Sequence, residues 1–341
     1  MFNHTMIGAF PTWFVVVESV SLALLLILMI VSFALYVIEI QIIFSFRKTT
    51  FRGPFYRLMF VGIIVDMLSA VNLFTGQVIP ARKWFSSFLL SNQSWLGAIF
   101  FFITYSCRCV QGATATILSF CRVSAVLFPI VYRKLGQPTY IYILQALQLS
   151  GVVLAGWILI PQNYEYLMEN DGFYSVDSSD DESEALWFYN LIVILEVFFV
   201  SSIVVNNLVT YIAFHLKFSK NPPIRSNIVS GPQYQISREK QKRESSLDRM
   251  TFIVCCVELV YFAYVVYSLQ INVDMNKRVF YFWYNILCVM YSTFSAWMLL
   301  LVSKPITLQF KQRFQKLAQG RLVRSVSISA HGGSRDNHKP S

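Results

Sequence analysis

Seven predominantly apolar stretches dominate this chain, at 14–44, 55–79, 95–128, 140–160, 186–216, 250–270 and 279–302. A hydrocarbon layer about 30 Å thick is crossed by about 20 residues of helix at 1.5 Å rise each, and every stretch is long enough. Lipid offers the backbone no hydrogen-bond partner, so a spanning segment is either a helix or part of a closed barrel. Barrel strands read as segments of about ten alternating residues. The run VSLALLLILMIVSFALYV (20–37) is apolar throughout. The expected fold is an all-α membrane protein, a seven-transmembrane helix bundle. Charged residues make up 13% of the chain, about half the share in soluble domains, which excludes an ordinary soluble fold. The leading MFNHTMIGAFPTW carries no Lys or Arg, and the run after it exceeds a signal-peptide core, so the first helix is expected to be a retained anchor.

The basic residues orient the bundle. With residues 1–13 outside the cell, the cytosolic pieces are loops 45–54, 129–139 and 217–249 and the tail from 303. They hold Arg47, Lys48, Arg52, Arg133, Lys134, a cluster from Lys217 to Arg249, and eight more in the tail. The external pieces hold only Arg82, Lys83, Lys277 and Arg278. Cytosolic enrichment in Lys and Arg is the rule for membrane proteins, so the net charge of +10 reads as a topology signal and no nucleic-acid partner is expected. Both N-x-S/T sequons, at Asn3 and Asn92, fall on the predicted outer side, where glycosylation occurs. The outer loop 161–185 carries eight acids and no base. It reads as a solvated loop, with attraction of cationic ligands as the alternative.

Catalytic chemistry finds little support. The four histidines (His4, His215, His331, His338) lie at or beyond span ends, and the six cysteines sit inside apolar runs at spacings that fit no metal site. No enzyme activity, metal or cofactor is expected. A transporter is the rival class, but no repeat relates helices 1–3 to 5–7 and the prolines cluster at helix ends.

Ionisable residues within spans are costly and demand a reason. Asp66 lies about 16 Å into the second span. Arg108 and Arg122 on the third span are fourteen residues apart, which places them on one face about 21 Å apart along the axis. Glu196 lies in the outer half of the fifth span and Glu258 in the inner half of the sixth. Structural ion pairing inside the bundle and a functional role are both open readings for each.

The segment SFCRVSAVLFPIVYRK (119–134) narrows the choice. Arg122, Pro129 seven residues later and Tyr132 three after that keep the spacing found at the end of the third helix in rhodopsin-type receptors. Cys121 and Val123 replace the flanking acid and aromatic. Together with GPFYRLMFVGIIVD (53–66), the CR-x-x-A-V-x-x-P pattern of 121–129 and dense Phe and Tyr usage, the chain resembles the nematode serpentine chemoreceptors of the class gamma superfamily, either class gamma itself or its sister class v. The resemblance covers about 15–317. Three departures stand out: no proline in the sixth span, Ser303-Lys304-Pro305-Ile306-Thr307-Leu308 where the broader family has Asn-Pro-x-x-Tyr, and no cysteine to tie the third helix to the second outer loop.

The resemblance implies a G-protein-coupled receptor with rhodopsin-like topology in the plasma membrane of sensory-neuron endings. It implies a small chemical cue as ligand and a heterotrimeric G protein as partner, and leaves homo- or hetero-oligomerisation open. An outer-half cavity is expected to be lined by Thr104, Tyr105, Arg108, Gln111, Glu196, Tyr264 and Trp283. Arg122, Pro129, Tyr132, Asp66 and Glu258 are expected to serve activation and G-protein coupling. In 303–317, Ile306, Phe310, Phe314 and Leu317 share one side and Lys311, Arg313 and Lys316 the others, which predicts an amphipathic helix on the cytosolic membrane surface. Loop 217–249 reads as a basic linker or a docking surface, and 318–341 as a disordered tail whose serines beside Arg321 and Arg324 suit phosphorylation.

Overall fold

A computed structural model of the chain describes residues 11–47, 51, 53–159, 163–168, 174–178, 182–220, 252–267, 277–303 and 305–315. Asn3, loop residues 221–249 and the tail from 316 lie outside them. Six helices are long and apolar enough to cross a membrane, and a shorter apolar helix joins them. In chain order they are α1 (Thr12–Ser45), α2 (Pro54–Leu73), the short α3 (Ile79–Ala81) and α4 (Ser86–Ser91), then α5 (Gln93–Leu127), α6 (Pro129–Leu135) and α7 (Pro138–Leu159). A hairpin of β1 (Tyr164–Met168) and β2 (Tyr174–Ser178) follows, then α8 (Glu182–Lys220), α9 (Phe252–Val266), α10 (Lys277–Val302) and α11 (305–315).

Proline sets several starts. Pro54, Pro129 and Pro138 each open a helix, where the missing N–H has no intrahelical partner to lose. Before Pro80, α2 widens into a π-turn over Phe74–Val78.

Helix α5 is the axis of the bundle and packs against α2, α7 and α8. Glycine lets its neighbours approach. A Cβ on Gly151 of α7 would lie 2.4 Å from the Cys109 Cβ, and one on Gly112 would lie 2.5 Å from the Phe199 ring of α8. Such backbone closeness is how helices associate in lipid, where apolar burial alone gives no drive.

The two ends of the bundle differ. At the end holding α11, Tyr36, Ile42, Leu58, Ile63, Leu299 and Ile306 form a closed core between α1, α2, α10 and α11. There Phe310 packs inward, and Arg313 donates to Gln41 and Ser45 of α1 at 3.1 and 3.2 Å. At the opposite end the hairpin lies on α5: Tyr164 stacks on Phe101 at 4.9 Å, and Tyr166 and Val176 are buried against Phe100. The acidic segment expected as a solvated loop is therefore partly regular. Its Asp177 and Ser178 belong to β2 and its Glu182–Glu184 to the first turn of α8, because the alternating YEYLM and YSVDS segments pair antiparallel with Tyr166 opposite Val176. The same end is tied by Glu18 of α1, whose Oε2 accepts from Arg278 at 2.7 Å and lies 3.8 Å from Arg82.

Candidate functional site

A cavity of about 210 Å³ opens within the hairpin-end half of the bundle. Helix α5 contributes Phe101, Thr104, Tyr105 and Arg108, and α8 contributes Ile192 and Glu196. Helices α9 and α10 contribute Tyr261, Tyr264, Phe280, Tyr281 and Tyr284, while Val176 of β2 closes one side. Aromatic rings form most of the wall, the usual lining of a small-molecule pocket with a few polar groups to orient its occupant.

Arg108 organises one side of this space. Its Nε donates to Glu196 Oε1 at 2.5 Å, and its Nη2 donates to Glu196 Oε2 at 2.6 Å and to Glu258 Oε2 at 2.8 Å. The guanidinium lies 4.2 Å from the Tyr261 ring centroid and 4.9 Å from that of Tyr291, whose hydroxyl donates to Glu258. One cation thus joins α5, α8, α9 and α10. A forked pair of charge-assisted bonds, flanked by aromatic faces, is the arrangement that makes a buried arginine tolerable. Its Nη1 is buried and has no hydrogen-bond partner among the described residues.

The other expected cavity residues divide. Tyr264 lines the wall and donates to the Phe280 carbonyl at 2.9 Å. Thr104 is fixed by Asn72 Nδ2 at 2.9 Å. Gln111 sits one turn deeper than Arg108 and donates to Asp66 Oδ1 at 2.8 Å instead. Trp283 is half exposed and stands outside the lining, because its neighbours Tyr281 and Tyr284 take the inward positions on α10.

Beneath the cavity, Asp66 Oδ2 lies 3.2 Å from the Tyr36 hydroxyl, which donates to the Ser292 carbonyl at 2.6 Å. Asp66 and Gln111 also border a second, small space of about 70 Å³ with Thr114, Ser119, Asn207 and Tyr291. Further along α5, Arg122 is buried with its guanidinium 4.8 Å from the Phe55 ring of α2. Pro129 begins α6, and Tyr132 is half-buried against the closed core. At the other end Asn92 is half-buried at the start of α5. Its amide donates to the Phe88 carbonyl at 2.9 Å and its Oδ1 accepts from the Trp95 indole at 3.0 Å.

Two acids escaped notice in the sequence, Glu18 and Glu39 in the first apolar run. Glu258, expected to serve activation from the inner half of the sixth span, bonds Arg108 here. An acid inside a span was the available signal. Among the described residues no group of His, Cys, Asp and Glu is placed to hold a metal ion.

No curated protein matches the sequence. A family model described as serpentine type 7TM GPCR chemoreceptor Srv matches residues 25–316, which takes in the greater part of α1, every later helix and the Arg108 and Arg122 positions. Of the two classes the sequence resembled, the match is to class v. The chain is thus a seven-transmembrane helical protein and belongs to the Srv family of serpentine chemoreceptors.

Proposed function

We propose that this receptor sits in the plasma membrane of sensory endings with its N-terminus outside, takes a small organic cue in the aromatic cavity, and signals to a heterotrimeric G protein at the α11 end. The observation that carries this reading is Arg108, which lines the cavity and ties Glu196 of α8 and Glu258 of α9 to α5. A ligand acts only through a difference in affinity between two states. An acceptor atom on the ligand that engages Arg108 Nη1 competes with the existing carboxylates for the guanidinium. It thereby biases how α8 and α9 sit against α5, which both helices meet again around Ala115, two turns before Arg122. The cue is a small molecule with an aromatic or flat apolar body and one acceptor group. Asn3 and Asn92 carry glycans on the outer side, and the basic loop 217–249 faces the cytosol with Arg122, Pro129 and Tyr132.

The test is expression in a reporter cell against a panel of small volatile and water-soluble compounds, with Arg122→Ala at matched surface level as control. The expected result is a compound that activates the wild type and not the variant. An equal signal from Arg122→Ala refutes the coupling role, and solute flux in vesicles free of G protein refutes the receptor reading. A tag between Ser237 and Arg249 is expected to be reached only after permeabilisation.

A further inference from the structure

A cavity larger than the aromatic one lies elsewhere and has no part in the proposed signalling. It measures about 610 Å³ and lies on the flank of the bundle at the α11 end, between the last turn of α1, the first turns of α2, and α7. Two guanidiniums line it, Arg47 just past the end of α1 and Arg57 in the first turn of α2, with the Gln145 amide facing from α7. Its other walls are Ile43, Phe44, Phe51 and Phe60. Ile43 and Phe51 are buried in the closed core, so the cavity is held open by packing rather than by chance side-chain placement. Phe44 is 56% exposed on the lipid-facing flank.

The two arginines have no acidic partner among the described residues. Arg47 rests 4.2 Å from the Phe44 ring centroid, a contact that leaves its N–H groups free to bond. Glu39, two turns earlier on α1, is buried in the core and pairs with no cation among the described residues. Half-buried Arg57 and exposed Arg47, at the depth where helix ends meet headgroups, are complementary to an oxyanion, and the one that lipids carry at that depth in every anionic headgroup is phosphate, which guanidiniums bind through paired N–H forks. The aromatic walls and the opening toward lipid select a phosphate attached to acyl chains over a free one. The volume suits a phosphorylated headgroup with its glycerol rather than a bare ion.

We propose that this cavity is a binding site for the phosphorylated headgroup of an anionic phospholipid, with Arg47 and Arg57 holding phosphate, Gln145 a headgroup hydroxyl, and Phe44 and Phe60 the first acyl carbons. Assignment to the cytosolic leaflet rests on the orientation proposed above; the binding itself does not.

The test uses the full chain in nanodiscs of phosphatidylcholine doped with a few per cent phosphatidylinositol bisphosphate, the same lipid in both leaflets so that orientation has no influence. Retained phosphoinositide is counted by mass spectrometry after gentle release. Arg47→Gln/Arg57→Gln is expected to lower retention about tenfold or more, since each base near the surface contributes severalfold. Arg133→Gln/Lys134→Gln, which removes the same charge from an exposed helix end, is expected to leave it unchanged. Arg57→Lys, which keeps charge without the fork, is expected to fall between. Equal loss in both double variants overturns the site in favour of general surface attraction, and no loss in either overturns it outright. Displacement by soluble inositol trisphosphate at the concentration that works for the lipid also overturns it, because it makes the site one for free phosphate. Cytosolic tag exposure at Ser237–Arg249 is read separately, so a failed orientation and a failed site give different results.

Discussion

The two halves of the bundle are built on opposite plans. The α11 end is closed by aliphatic and aromatic side chains, with Leu58, Ile63, Leu299 and Ile306 wholly buried. The α11 end has its cavity on the outer flank, whereas the hairpin end keeps one between its helices and holds them together with one arginine and two glutamates. Both halves share α5, and the arginine each contributes is treated differently. Arg108 is gripped by carboxylates from two helices, whereas Arg122 lies over the Phe55 ring. An interior filled by aliphatic packing has little room to rearrange. One held by a few directional charged bonds around a space has a small number of alternative pairings. The hairpin half is therefore the part suited to sense, and the α11 half the part suited to keep the bundle intact while it does.

The strongest attack on that contrast is Glu258→Ala. It strips Arg108 of one carboxylate and Tyr291 of its acceptor, and breaking a buried pair costs about 3–5 kcal/mol. Thermal unfolding in detergent is expected to show a large drop. A small shift means that the network is hydrated rather than dry. Next come matched truncations. Leu299→Ala in the closed core is expected to cost about 2–4 kcal/mol, and Val265→Ala at the cavity wall below about 1, because a wall residue already faces space. Equal costs dissolve the distinction between the halves.

Glu39→Gln is smaller and of opposite sign. Glu39 is as buried as Glu258, at 1% exposure each, yet both its oxygens lack a partner among the described residues. Removing an uncompensated buried acid is expected to raise stability by about 1 kcal/mol. Destabilisation instead points to a cation or bound water that the acid serves. The smallest effect is at Trp283, where alanine is expected to leave any ligand response unchanged because the ring stands outside the cavity.

The spans were legible because lipid permits few structures and the apolar runs are long. The alignment of Arg108 and Arg122 on one face of α5 was legible because helical geometry fixes azimuth along a single rod. What could not be read was azimuth between rods. Glu196 and Glu258 were visible as ions in need of partners, but only the way α8 and α9 sit around α5 brings both to Arg108. On α10 a step of one residue turns a side chain by about 100°, which separates Trp283 from Tyr284. Gln111 shares a face with Arg108, yet one turn of depth delivers it to Asp66. The hairpin stayed hidden because its strands are short and lie in an acidic stretch. Glu18 and Glu39 were masked by the apolar residues around them.

The central claim is that the cavity acts through Arg108. Its direct measurement is a dose–response curve for an activating compound, taken at matched surface expression in the wild type, Arg108→Lys and Arg108→Ala. The account predicts a shift of about tenfold or more for lysine, which keeps the charge but not the fork, and loss of response for alanine. Three superimposable curves contradict it.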